Sequence, residues 1–80
     1  MNARKKPIEN ARHRIAINLK RLRKERGWSQ EYMAEAADFH RTYVSQLERC
    51  ITNISIDGLE QLAIALGVDV VELIMPIEAE

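Results

Sequence analysis

The sequence predicts an all-α fold of five short helices, and three observations carry that prediction. Apolar residues recur at intervals of three and four along most of the chain. Ser29, Ser55 and Asp69 stand where helices would start, and Gly27 and Gly67 stand where helices would stop. Sustained strand-type alternation between turn signals is absent. The 80 residues make one domain, with no room for a second core. A chain of this size hides only roughly 60% of its unfolded surface, so association with a second copy would add stability.

Residues 1–7 read as a basic, flexible N-terminal arm ending at Pro7, a residue suited to the start of a helix. The first helix, about 8–26, follows from Ile8, Ala11, Ile15, Leu19 and Leu22 on one face, with Lys24 and Arg26 near its negative end and Gly27 beyond it. Ser29 caps the second helix, 29–37, and Trp28 is spaced to staple onto Met33. Asp38 is the turn residue and His40 the next cap, opening the third helix at 40–49, with Phe39 and Val44 as a second staple pair. Ser55 caps the fourth helix, 55–66, whose buried stripe is Leu59, Leu62, Ala63 and Leu66. Asp69, with Glu72 three residues on, opens a fifth at 69–75 containing Val70, Leu73 and Ile74. A short tail, 76–80, follows.

Charge is neutral in total but polarised along the chain. Residues 1–26 hold ten Lys/Arg against Glu9 and Glu25, a net of +8, while residues 27–54 sum to −2 and residues 55–80 to −6. A basic pole of that kind is suited to a polyanion. A single cysteine, Cys50, excludes an internal disulfide and a Cys-based zinc site and fits a reducing, cytoplasmic setting. No stretch approaches the roughly 18 apolar residues of a membrane span, and no signal-type apolar region follows the basic start.

The segment Gln30–Leu47 carries the functional reading. Two short helices meeting at a tight turn can cross closely at Ala34, while Val44 and Leu47 pin the inner face of the third helix to the core. Its outer face then holds Arg41, Thr42, Ser45, Gln46 and Arg49, with no carboxylate among them. Arg41 can donate twice to guanine O6 and N7, and Gln46 can pair with adenine N6 and N7. Thr42 and Ser45 offer hydroxyls, and Thr42 a methyl for thymine. Gln30 and His40, at the starts of the second and third helices, sit where backbone N–H groups point outward to accept phosphate. The expected partner is double-stranded DNA, read in the major groove.

These residues resemble the lambda-repressor/Cro-like helix-turn-helix family, also called the XRE family, over about residues 15–74. The resemblance rests on Leu19, Leu22, Arg23, the run Gly27-Trp28-Ser29-Gln30, Met33, Ala34, Val44, Ser45, Leu47, Glu48, Arg49, Asn53, Ser55, Leu62-Ala63, Leu66-Gly67-Val68 and Leu73. It implies a compact five-helix lambda-repressor-like DNA-binding domain. It also implies Arg41, Thr42, Ser45 and Gln46 facing the groove, Gln30 on phosphate, and an ion pair between Arg23 and Glu48; His40, Tyr43, Arg49 and Asn53 are expected to join Gln30 as phosphate contacts. The run Arg41-Thr42-Tyr43-Val44-Ser45 is similar to that of restriction–modification controller proteins, in which the counterpart of Tyr43 lies against the DNA backbone. The chain departs from the family pattern at three positions. Asp38 replaces the usual turn Gly, Cys50 the Gly that ends the third helix, and Ile54 the Pro before Ser55, which is expected to leave that loop less rigid.

His13 and His40 stand 27 residues apart with no clustered carboxylate or thiol, so neither a catalytic nor a metal site is expected, and no cofactor or small-molecule substrate is implied. Cys50 reads either as a redox-sensitive thiol beside Arg49 or as a small residue at a helix end. Ile64, Val71, Met75 and Ile77 are more apolar than the core stripe requires. They either close the core locally or form a twofold homodimer interface, the reading adopted here, which suits a palindromic or near-palindromic site. A different class of function stays open beside DNA reading: a protein-interaction module that keeps the fold, such as a coactivator adaptor or an antitoxin-like partner binder.

Overall fold

The computed structural model describes residues 10–77, and within them the chain forms five helices and no strand. They are α1 (Ala11–Glu25), α2 (Gln30–Ala37), α3 (Arg41–Glu48), α4 (Ile56–Leu66) and α5 (Val71–Ile74). The expected N-terminal arm and Ile8 lie outside the described residues, as do residues 78–80 of the expected tail.

Side-chain caps set most of the starts. Asn10 Oδ1 accepts from the His13 amide at 2.9 Å, so α1 begins at Ala11, and Ala11 itself stays exposed. Ser29 and Ser55 accept from the amides of Tyr32 and Gly58 and fix the starts of α2 and α4. Because these serines are caps rather than helical residues, both helices start one position later than the expected spans. The expected fifth helix, 69–75, is shorter than its sequence pattern. Asp69 Oδ1 accepts from the Val71 amide at 2.9 Å and holds the turn before it, and Met75 is already extended at ψ 156°, as a residue preceding proline prefers.

The first four helices end in one way, a left-handed residue followed by an amide that reaches back five positions. Trp28 N donates to Arg23 O, Phe39 N to Ala34 O, Ile51 N to Gln46 O and Val68 N to Ala63 O. Gly27 and Gly67 supply the left-handed conformation at φ 70° and 72°. Asp38 and Cys50 adopt it without being glycine, at 62° and 63°. The left-handed cap at the end of α3 therefore forms although the usual glycine is missing.

The core joins all five helices. Leu19, Met33, Val44, Leu62 and Leu73 are fully buried, one from each. α3 packs on α2 and α1, α4 on α2 and α5, and α5 on α1. Ala34, 2% exposed, lets α2 and α3 approach closely. Ile54, at the position of the absent proline, packs partly buried against this core, and its Cγ1 lies 3.0 Å from where a β-carbon on Gly58 would sit. A glycine at 58 is thus what lets the side chain before α4 fold over the helix.

Buried polar groups tie the helices together. Asn18, 3% exposed, donates to the carbonyls of Leu73 and Met75 at 3.2 and 3.0 Å, and its own oxygen accepts from Arg21. Arg26 donates to Leu22 O and Leu66 O, joining the C-terminal ends of α1 and α4. Asn18 falls between Ile15 and Leu22 on the buried face of α1, where an unbonded amide would be costly, and apolar periodicity alone does not mark it.

Candidate nucleic-acid interface

α3 is anchored by its inner face and its C-terminal end. Val44 and Leu47 are buried at 0% and 3% exposure. Glu48 is pinned by Arg23 in a two-pronged contact, Nε to Oε2 at 2.6 Å and Nη2 to Oε1 at 2.9 Å, with side chains 9% (Arg23) and 2% (Glu48) exposed. Arg23 Nη1 also donates to Trp28 O at 2.8 Å. Hydrogen bonding to Glu48 raises the Arg23 pKa above its ordinary value, with burial acting against it and the Glu48 charge adding to it. Arg23 therefore stays cationic at any working pH. Gln30 Nε2 donates to Glu48 Oε1 at 3.0 Å, so the start of α2 joins the same network.

With its inner face and end fixed, α3 presents the rest. Arg41, Thr42 and Arg49 are exposed, and Ser45 and Gln46 are half-buried. None of these side chains is hydrogen-bonded to another described residue, and the face contains no carboxylate. Neither the first turn of α1 nor that of α3 contains an acidic residue, whereas those of α2, α4 and α5 hold Glu31, Asp57 and Glu72.

The residues expected on phosphates are distributed around this face. His40 occupies the N-cap position of α3, but its imidazole makes no capping bond, so the first amides of α3 have no side-chain cap. Gln30 sits at the start of α2 with one amide hydrogen engaged by Glu48. Tyr43 is stacked edge-on against Phe39 with centroids 5.0 Å apart, and its phenol donates to Asn53 O at 3.0 Å. Burial raises its pKa. Asn53 Oδ1 accepts from Arg12 Nη2 at 2.6 Å. Arg12 entered the sequence reading only as one basic residue among ten, since nothing in the sequence shows that it stands beside a residue 41 positions away.

The apolar residues expected at a dimer interface do not behave alike. Ile64 and Val71 are 75% and 53% exposed, whereas Met75 and Ile77 are half-buried and line a groove with Ile17, Arg21 and Glu72. Among the described residues no cluster of His, Cys, Asp or Glu could hold a metal ion. No described helix is long and apolar enough to cross a membrane.

Two short helices crossing over a small residue, the second with an uncovered polar face, define a helix-turn-helix DNA-binding domain. Residues 19–73 match the helix-turn-helix family HTH_3, and the chain belongs to this XRE-type family of transcription regulators. It is 42% identical over 62 residues to a hypothetical transcription factor of Neisseria meningitidis, covering 78% of this chain and 58% of that relative. It is 41% identical over 68 residues to the control protein C.MunI of a Mycoplasma species, covering 84% of this chain and 92% of the relative. Among solved structures, the Neisseria hypothetical transcription factor superimposes with a TM-score of 0.81 at 39% identity, covering 88% of this chain and 86% of that one. The restriction–modification controller protein C.AhdI of Aeromonas hydrophila superimposes with a TM-score of 0.75 at 34% identity, covering 78% and 94%.

Proposed function

We propose that this protein is a sequence-specific transcriptional regulator that binds a palindromic or near-palindromic operator as a homodimer, one α3 in each major groove. The observation that carries this reading is the outer face of α3, where Arg41, Thr42, Ser45 and Gln46 present donors and acceptors that no described residue occupies. In this reading Arg41 and Gln46 make the two-pronged base contacts and Thr42 and Ser45 the single ones. Gln30, His40, Tyr43, Arg49 and Asn53 bind phosphate and set the register. Exposed Ile64 and Val71, with Met75 and Ile77, cover one another across the twofold axis. The likeness to C.MunI and C.AhdI, most of whose lengths the chain covers, favours a restriction–modification controller. A phage-type repressor is the second reading, supported by 39% identity over 56 residues to the immunity repressor of Bacillus phage phi105, of which the chain covers 39%.

Selection of bound fragments from random duplex DNA, followed by titration of the winners at several salt concentrations, tests this reading. The expected result is a pair of symmetric half-sites with centres roughly 34 Å apart, bound with a steep salt dependence. Weak binding that ignores both sequence and salt would overturn it in favour of a protein-interaction module.

A further inference from the structure

We infer that Arg12 is a DNA phosphate-binding residue, held beside the recognition helix by Asn53 and Tyr43, so that the footprint on the duplex extends from α3 to the first turn of α1. This inference rests on the DNA-reading role proposed above. Three positions far apart in sequence meet here. The Tyr43 phenol, on the helix that carries the reading face, donates to the Asn53 carbonyl at 3.0 Å. The Asn53 side chain in turn accepts from Arg12 Nη2 at 2.6 Å. Arg12 is therefore two hydrogen bonds from the third residue of α3, and a backbone entering past Tyr43 and Asn53 passes its guanidinium.

The chemistry at that point fits a phosphate. Arg12 and Asn53 are both exposed, so the guanidinium is not committed to the interior, and the contact to Asn53 uses one of its five N–H donors. Asn53 is neutral and leaves the positive charge uncompensated, unlike Glu48, which neutralises Arg23 in the core. No carboxylate stands in the first turn of α1 or α3 to repel a phosphate. A structural role alone would need neither the charge nor the exposure, since a neutral donor could hold Asn53 equally well.

That distinction supplies the test. Arg12→Gln keeps a donor for Asn53 and removes the charge, and phosphate contacts are independent of sequence, so a random-sequence duplex is a sufficient probe. Wild type should bind it with log Kobs falling linearly against log salt, and each lost phosphate contact should flatten that slope by ~0.9. Arg12→Gln should therefore flatten the slope by about one unit per bound protomer with the thermal midpoint unchanged, and Arg12→Lys should restore most of it. An unchanged slope in a folded Arg12→Gln protein overturns the inference and leaves the DNA-reading role standing. So does a loss of binding that only parallels a lowered thermal midpoint. If wild type shows no salt-dependent affinity for duplex DNA, the role and the inference fall together.

Discussion

Glu48→Gln is the most direct probe of what fixes α3. The substitution keeps the size of the side chain and removes its charge, leaving Arg23 buried with only Trp28 O as a full-strength acceptor. Breaking a buried pair by neutralising one partner costs ~3–5 kcal/mol, because the desolvated charge left behind is uncompensated. The glutamine oxygen can still accept one bond from Arg23, which places the expectation near ~3 kcal/mol. An 80-residue domain at ~0.05–0.15 kcal/mol per residue has roughly 4–12 kcal/mol in total (80 × 0.05 and 80 × 0.15), so one substitution removes a quarter to most of it. Urea titration of wild type, Glu48→Gln and the double variant Arg23→Met/Glu48→Leu measures this. The double variant should recover much of the loss, since it removes both charges and fills the space with apolar groups. A Glu48→Gln midpoint within ~1 kcal/mol of wild type, or a double variant as unstable as the single one, would show that the pair is not desolvated as argued.

Replacing Cys50 by glycine should stabilise the domain by ~0.5–1 kcal/mol, the left-handed penalty of ~1–2 kcal/mol less the flexibility glycine adds to the unfolded chain, and thermal or urea unfolding reads it. Asp38→Gly should gain less, because Asp tolerates that conformation better, and a loss at either site would contradict the backbone account. Arg41→Ala should weaken operator binding by ~1–3 kcal/mol and relax preference at one base pair, with affinity for random duplex changed far less; equal losses on both would remove it from the reading face. Tyr43 has a folded pKa raised above its ordinary 10.0 by burial, so its neutral form favours the folded state. That contribution is complete below about pH 10 and is lost as pH rises through the folded value. Tyr43→Phe should abolish this part of the alkaline decline in urea midpoints, and an unchanged decline would count against it.

How much was legible in the sequence depends on how local the cause was. Five helices and the stripe of Leu19, Leu22, Leu59, Leu62 and Leu66 follow from periodicity, and Ser29 and Ser55 mark starts because a hydroxyl capping an amide three residues on is a local event. Both ends of α5 fall inside the expected 69–75, because Asp69 and Pro76 act on the backbone from both sides of a very short helix, leaving four helical residues. The contact between Arg23 and Glu48, 25 positions apart, is visible only through the family resemblance, since nothing local to either residue names the other. Arg12 beside Asn53, Arg26 on Leu66 O and Gln61 on Ala37 O had no such help. They are meetings of long side chains across the fold, and helical periodicity is silent about them.

The domain also shows why α3 needs a polar tether at all. α3 has eight residues and fully buries only two apolar ones, Val44 and Leu47. At ~1.5–3 kcal/mol for each fully buried aliphatic side chain, that is roughly 3–6 kcal/mol of apolar anchoring, the same order as the cost of breaking the Arg23–Glu48 pair. The helix cannot simply bury more, because any further apolar residue would have to stand on the face that is to remain uncovered. Both ends also carry left-handed residues other than glycine, Asp38 and Cys50, where α1 and α4 end on glycine. Neighbouring contacts hold those conformations: Phe39 N on Ala34 O at 2.7 Å and the Phe39–Tyr43 stack at one end, Ile51 N on Gln46 O at the other. A β-carbon at each hinge narrows the orientations α3 can sample, at some expense in stability, while Glu48 fixes its last turn to α1. An exposed face is thereby held rigid with little apolar burial, through a deeply placed charge pair and two constrained turns.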